Sequence, residues 1–595
     1  MAAKIVIAEA EPDVAAAPSM PLATPSAITS PVTSAMTLAM LAMTLAMTMP
    51  CPAARAGDAG LLPNVRARAH RLSLERPAGV PEDIALESAH ARIGTVRIIT
   101  NNIFDTARPE EDASLFRLAN KLHIGTRAST IQDQLLFRTG EAYDGRLLEE
   151  SERILRGTRY LQDANIRPVA WHDGVVDIEV ITHDVWTLNP GVSFGRKGGK
   201  NSTGVGVEEL NLLGLGSQIS FGRHSDVDRT STTLEYQDPQ LFGSWWQLSA
   251  GYSDNSDGRT QVARIEHPFY ALDNRWAMGF AANRDDRVDS RYNLGEISDQ
   301  FGVSARNATV YGGWSKGLQD GWVTRLTAGV TYDESRFDSV IGETGATTLL
   351  PPDRKLVYPW IGYEWIQDEF EKTHNRDQIE KTEDFLLGLH AHARLGYAAS
   401  SFGSDRNAWI LASGVSRGFT PGERHRLLLS ASLTGRHEDT GFADVLGGVG
   451  ARYYFRQSER RVLFLGASAD VGSNLDGDHQ ILLGGDNGLR GYPLRYQAGN
   501  GRWLITAEQR VFTNWYPFRL FNVGAAVFAD AGRTWGANPG GSPSLGLQKD
   551  VGFGLRLGNS RSALGNVLHV DVAFPLDRGT DVKGVQFLVT TQRSF

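Results

Sequence analysis

The sequence predicts a mainly β protein: a transmembrane antiparallel β-barrel preceded by one small α/β domain. Three observations carry this. Apolar and polar residues alternate with period two from residue 191 onward, and short turn motifs recur about two strands apart. The composition, with 64 glycines, 13 tryptophans and 16 tyrosines in 595 residues, suits many strands and tight turns better than helices. Outside the N-terminus no stretch approaches roughly 18 uninterrupted apolar residues, and mean hydropathy is −0.26, so a helical membrane span is excluded there. A net charge of −8 gives no electrostatic reason to expect nucleic acid.

The alternation is explicit in several segments. "WWQLSAGYSD" puts Trp246, Leu248, Ala250 and Tyr252 on one side and Gln247, Ser249, Gly251 and Ser253 on the other. "RWAMGFAAN" sets Trp276, Met278 and Phe280 against Ala277, Gly279 and Ala281, and "LHVDVAF" sets Leu568, Val570, Val572 and Phe574 against His569, Asp571 and Ala573. One side is aromatic or aliphatic and the other small or charged, as in a barrel with lipid outside and water inside. Short turns are expected at "NLLGLG" (211–216), "DPQLFG" (238–243) and "HPFYALDN" (267–274), with polar loop-like stretches such as "RHSDVDR", "SDNSDGR" and "NRDDRVDS" between them.

The N-terminal region differs in kind. Seven of eight methionines occur by residue 49, and "MTLAMLAMTLAMTMPCPAARAGDA" resembles an export h-region followed by an Ala54-Arg55-Ala56 cleavage site, which makes 1–56 a signal-peptide region. Met36 is a candidate alternative start, and Pro50 before Cys51 is wrong for a lipoprotein anchor. Cys51 is the single cysteine, so cleavage after Ala56 leaves no disulfide, thiolate or cysteine-ligated zinc chemistry. Polar, aperiodic 57–90 reads as a linker.

Residues 91–188 read as the α/β domain. "RIGTVRIITNNIF" is a strand, "EDASLFRLANKLH" and "TIQDQLLFR" are helical pieces, and "YDGRLLEESERILRG" is a helix with Asp144 as N-cap and Gly157 at the C-cap. Leu147, Leu148, Ser151, Ile154 and Leu155 share one face of it. Strands 160–170 and 175–182 follow, joined by the hairpin pair Asp173-Gly174. The order strand, helices, strand, strand, with "LRGTRYL" and "HDVWTLNP", resembles a POTRA domain, the periplasmic module of outer-membrane assembly proteins.

The C-terminal barrel, 189–595, ends in "VKGVQFLVTTQRSF", where Val585, Phe587, Val589 and Thr591 alternate with Gln586, Leu588, Thr590 and Gln592 before the terminal Phe595. This resembles the C-terminal assembly signal of bacterial outer-membrane proteins, carried here by Phe587, Val589 and Phe595. Further upstream, "GGDNGLRGY", "WLITAEQRVF" and "VGAAVFADAGRTWG" resemble the signature region of the BamA/TamA superfamily of bacterial surface antigen barrels. The resemblance covers about residues 91–595 and is most specific over 484–536. It implies a barrel of 16 strands, which leaves roughly 25 residues per strand and connection. It also implies an external loop folded into the lumen, with the tip Leu489-Arg490-Gly491-Tyr492 and with Glu508 and Asp530 on the wall as partners of the arginine.

The pleat supports that pairing independently. Glu508 shares a face with Arg502, Thr506 and Arg510, and Asp530 with Gly524, Ala526, Phe528 and Gly532, so both carboxylates are expected on the lumen side. Arginine suits the tip because its charge never titrates away and its fork can hold two carboxylates.

Other motifs carry less. "GVSRG" (414–418) matches a nucleophile elbow without the strand–elbow–helix context that chemistry needs. His390 and His392 share one strand face with no third metal ligand in sight, and "GGDNGLRG" lacks the Lys-Ser/Thr of a phosphate loop. No catalytic constellation, metal site or cofactor is expected.

The resemblance implies insertion or translocation of client proteins, not bond chemistry. The POTRA domain would receive an unfolded or extended client, and the barrel's first strand (about 190–197) and last strand (about 585–595) would form a weak lateral seam, with Gly191, Gly195, Gly198 and Gly199 weakening the first. Expected partners are outer-membrane lipid, the client, and periplasmic accessory proteins; the expected place is the outer membrane with the POTRA domain in the periplasm. Two other readings stay open: a passive or solute-selective channel, and a transporter dedicated to one secreted partner. A single POTRA domain departs from the several usual in the central assembly protein.

Overall fold

The computed structural model describes residues 76–339, 350–536, 545–559, 561–562, 567–577, 579 and 581–592. The expected signal segment and cleavage site, and Phe595, lie outside these residues.

Four α-helices and three strands make up the N-terminal unit: α1 (Asp83–Ser88), β1 (Arg92–Asn101), α2 (Ser114–Leu122), α3 (Ala128–Gln132), α4 (Gly145–Gly157), β2 (Leu161–His172) and β3 (Val175–Asp184). The sheet order is β1-β3-β2, with β1 parallel and β2 antiparallel to the central β3. Val176, Ile178 and Val180 of β3 are fully buried and meet Leu148 and Leu155 of α4 in one core. Each such side chain contributes roughly 1.5–3 kcal/mol by leaving water. The Asp144 carboxylate accepts from the Arg146 amide at 3.0 Å and caps α4, worth about 1 kcal/mol. Asp173 (φ 48°) and Gly174 (φ 78°) both take the left-handed conformation that a tight two-residue hairpin requires.

The linker expected up to residue 90 stops short of it. Residues 83–88 form α1, whose Leu86 is fully buried in the same core; Asp83 accepts from the Tyr143 hydroxyl, and Glu87 accepts from the Gly145 amide at 2.9 Å. A six-residue helix with one buried leucine has no periodicity to detect; tertiary contacts make it.

Among the described residues, twenty antiparallel strands close into a barrel from Leu188–Lys197 to Gln586–Gln592. This corrects the expected 16. The first six strands are only 8–10 residues long and joined by short connections, so a strand and its turn consume less chain than the division by 16 assumed. Successive strands pair in chain order; two hairpins, Phe370–His374 with Thr382–Leu386 and Ile481–Leu483 with Gln497–Gly499, leave the wall.

The period-two faces separate cleanly. Trp276, Met278 and Phe280 stand outward and exposed while Ala277 is buried, and Val570 stands outward between buried His569 and Asp571. The polar stretch "NRDDRVDS" is strand, not loop, within Trp276–Asn293. Its charges satisfy one another along the strand, Arg287 with Asp285 and Asp289 and Arg284 with Asp286. Among the described residues no helix is long and apolar enough to cross a membrane.

The N-terminal unit is fastened to the end of the barrel that carries the short turns. The Arg127 amide donates to the Gly214 carbonyl at 3.1 Å, the Leu272 amide to Glu150 Oε1 at 2.8 Å, and Arg561 pairs with Glu111 at 2.6 Å. The segment 474–500 departs from the opposite end.

Candidate functional site

Segment 474–500 is first tied to the rim. Arg436 and Arg354 both pair with Asp476 at 2.6 Å, and Arg291 donates to the Gly477 carbonyl. The short hairpin 481–483/497–499 then carries the glycine-rich tip into the lumen, where Leu489 and Tyr492 are fully buried with Leu483 and Tyr496.

Arg490 reaches both wall carboxylates. Its Nε and Nη2 donate to Asp530 Oδ2 and Oδ1 at 2.7 and 2.8 Å, and its Nη1 donates to Glu508 Oε1 at 2.6 Å. The guanidinium lies 3.5 Å over the centroid of the Phe528 ring. Burial opposes the charge, but Asp530 and Glu508 outweigh it and hold the Arg490 proton more firmly than in water. A bidentate fork on one acid, a third bond to another and an aromatic face below hold the side chain from three directions.

The neighbours of the tip arginine are matched to it. Gly491 has no room for a side chain: a Cβ there would lie 2.6 Å from Asp550 Cβ and 3.0 Å from the Pro575 nitrogen. The Tyr492 hydroxyl donates to the carbonyls of Lys549 and Asp577 at 2.9 and 3.1 Å. Arg495 pairs with Asp228 at 2.7 Å and lies over the Tyr292 ring. The loop therefore grips strands on opposite sides of the join between first and last strand.

The cluster is larger than the sequence suggested. Glu508 also accepts from Arg510 at 3.0 Å; Arg556, fully buried, pairs with Asp571; and Asp550 stands directly across the ladder from Asp530. Arg510, Arg556, Asp550 and Asp571 all have lumen-side parity. That signal was legible, but parity alone does not say which of many lumen residues meet.

Phe587 is outward and 58% exposed, and Val589 faces outward beside Arg196 of the first strand. That single register position, Val589↔Arg196, joins last strand to first, whereas residues 586–592 pair at seven positions with the strand Val567–Pro575. Gly198 has a reason beyond weak pairing: at φ 49° its missing Cβ would lie 2.3 Å from the Leu494 nitrogen, so the loop tip rests on the first hairpin. Residues 414–418 sit inside the strand Ala408–Gly422, with no turn for an elbow. His390 Nε2 meets Glu364 Oε1 at 2.8 Å, and Glu364 also accepts from Arg325.

No family model matches the chain, and no curated protein matches it. Solved structures do resemble it. BamA from Haemophilus ducreyi lacking POTRA domains 1–3 aligns at 15% identity over 84% of this chain and 85% of that one, with a TM-score of 0.38. CdiB from Acinetobacter baumannii aligns at 11% identity over 84% and 74%, TM-score 0.41, and CdiB from Escherichia coli at 13% over 85% and 77%, TM-score 0.43.

Proposed function

We propose that the chain is an outer-membrane barrel of the BamA/TamA kind that inserts or translocates client proteins, with the N-terminal unit serving as a single periplasmic POTRA domain. The observation that carries this reading is the join between the first and last strands. Elsewhere in the wall, neighbouring strands pair along most of their length; here, among the described residues, one register position holds. A closed barrel has no free edge, and opening one costs the backbone bonds broken. This join is therefore the cheapest place for a client strand to enter. The first strand adds Pro190, which has no amide to donate, and presents Val192 (85% exposed) and Phe194 outward to lipid.

The edge strands β1 and β2 of the N-terminal unit suit an extended client that adds a strand to the sheet. The tip arginine gives the lumen a fixed internal scaffold beside the join. A passive channel fits less well, because the lumen is crossed by ordered polypeptide.

Continuing the register Val589↔Arg196 places Ser193 opposite Gln592, both on the lumen side. Ser193→Cys with Gln592→Cys, in a Cys51→Ser background, tests the reading in proteoliposomes given an unfolded outer-membrane barrel as probe. Oxidation should abolish insertion while the barrel stays folded, and reduction should restore it. Full insertion by the quantitatively crosslinked protein would overturn lateral entry.

A further inference from the structure

Most turns at the barrel's N-terminal-unit end are brief; the connection between strands Arg354–Gln367 and His390–Ala398 is not. Residues 368–389 rise into the lumen as a hairpin with paired strands Phe370–His374 and Thr382–Leu386. Its tip reaches the far wall. Ile379 is 3% exposed and packs among Tyr454, Val462, Phe512, Ala526 and Val567, and it occupies the space above Gly558, whose missing Cβ would lie 3.1 Å from Ile379 Cβ. The strand bearing Val567 stands nine positions round the ring of twenty from the strand that starts the hairpin, so the hairpin crosses the barrel's diameter.

The tip is bound by charge as well. Asp377 accepts from the Tyr454 hydroxyl at 3.1 Å and from Arg510 at 3.2 Å, and Arg510 also donates to the Arg376 carbonyl. Glu371 holds Arg426 of the wall and Arg376 of the hairpin. On its outer side the hairpin is gripped by the N-terminal unit. Arg156 of α4 makes a two-bond fork to Asp384 at 2.7 and 2.6 Å, Thr382 donates to Asp163 at 2.8 Å, Lys372 pairs with Glu152, and Arg153 lies 3.7 Å over the Phe370 ring.

We propose that residues 368–389 are a plug that seals the lumen from the N-terminal-unit side, latched by Arg156 and Asp384 and released when that unit moves. The plug is coupled to the loop that enters from the opposite end. Arg510 bonds Asp377 of the plug and Glu508 of the wall, and Glu508 bonds Arg490 of the loop. Both insertions thus share one carboxylate–arginine pair on the wall, and displacement of either removes a partner from that pair. The inference does not depend on what the barrel transports.

Single-channel recording of the full chain in planar bilayers tests it. Arg156→Glu should replace the quiet wild-type baseline with sustained openings, and Arg156→Asp with Asp384→Arg should restore quiet. Ile379→Cys with Gly558→Cys, in the Arg156→Glu and Cys51→Ser background, tethers the plug to the far wall. Oxidised, this protein should stay closed; reduced, it should open. Replacing residues 375–381 with a short glycine linker should conduct whatever the state of Arg156. Heat-modifiable gel mobility establishes that each variant is assembled. A quiet excised variant would overturn the seal, and equal conductance of the tethered protein before and after reduction would overturn the role of the hairpin. An Arg156→Glu protein as quiet as wild type would overturn the latch.

Discussion

Arg490 Nη1 and Glu508 Oε1 stand 2.6 Å apart, and the other oxygen of the same carboxylate receives Arg510. One acid on the inner wall thereby holds an arginine from the external loop and an arginine that binds the opposite hairpin. Removing the loop arginine leaves Glu508 with Arg510 and leaves Asp530, across the ladder from Asp550, without the arginine that holds it.

Arg490→Ala should free the loop without unfolding the barrel. Breaking a buried pair from one side costs about 3–5 kcal/mol, reduced where water enters the lumen. Protease added outside should cut residues 484–500 faster than in wild type, with heat-modifiable mobility unchanged. Arg490→Lys should rescue little, since an ammonium cannot reproduce the fork on Asp530 plus the bond to Glu508. Wild-type proteolysis of the alanine variant would mean the loop is anchored elsewhere.

Gly491→Ala should displace the tip while leaving Arg490 in the sequence. The added Cβ meets Asp550 Cβ at 2.6 Å and backbone of Pro575 at 3.0 Å, and neither can yield cheaply. Overpacking of this kind costs about 1–3 kcal/mol. The expected readout is partial proteolytic sensitivity, less than in Arg490→Ala. A hydrogen-exchange profile over 484–500 identical to wild type would show that the wall gives way instead.

Raising the pH should loosen residues 474–480. Partial burial pulls His479 down, but its 2.7 Å bond to Asp444 and the charges of Asp444, Asp478 and Asp476 outweigh this and raise it to about 9. A histidine raised in the folded state stabilises fully below its ordinary value near 6.5. That contribution is lost as pH climbs through about 9. External proteolysis within 474–480 should rise between pH 7 and pH 10 in wild type and be flat over that range in His479→Asn. The ring is half exposed and Arg436 and Arg354 remain on Asp476, so loosening rather than release is expected. Equal pH profiles for the two proteins would remove His479 from the anchor.

Phe587→Arg should lower the yield of assembled barrel more than Thr591→Arg. Phe587 faces outward and is 58% exposed, where a charge in lipid costs roughly 2–4 kcal/mol near the midplane and 0–1 near the interface. Removing Phe595 should also lower yield if the chain end acts as an assembly signal. The measurement is the heat-modifiable fraction at equal expression. Equal yields for Phe587→Arg and Thr591→Arg would place that strand end outside the lipid band.

Local direction was legible from the sequence because a strand's pleat is local. Parity alone assigned Glu508, Asp530 and Arg510 to the lumen and Phe587 and Trp276 to lipid, and the cap at Asp144 and the turn at Asp173-Gly174 follow from the chemistry of a few adjacent residues. What required tertiary structure is everything set by closure. The count of twenty strands depends on how tightly each turn is made; α1 depends on a core that only Leu86 enters; and the register Val589↔Arg196 joins residues at opposite ends of the barrel sequence. The path of residues 368–389 is set only when the wall is curved into a ring. Only then does Ile379 meet Gly558, and Asp377 meet Arg510, because contacts across a lumen are decided by the barrel's diameter, which no local pattern encodes.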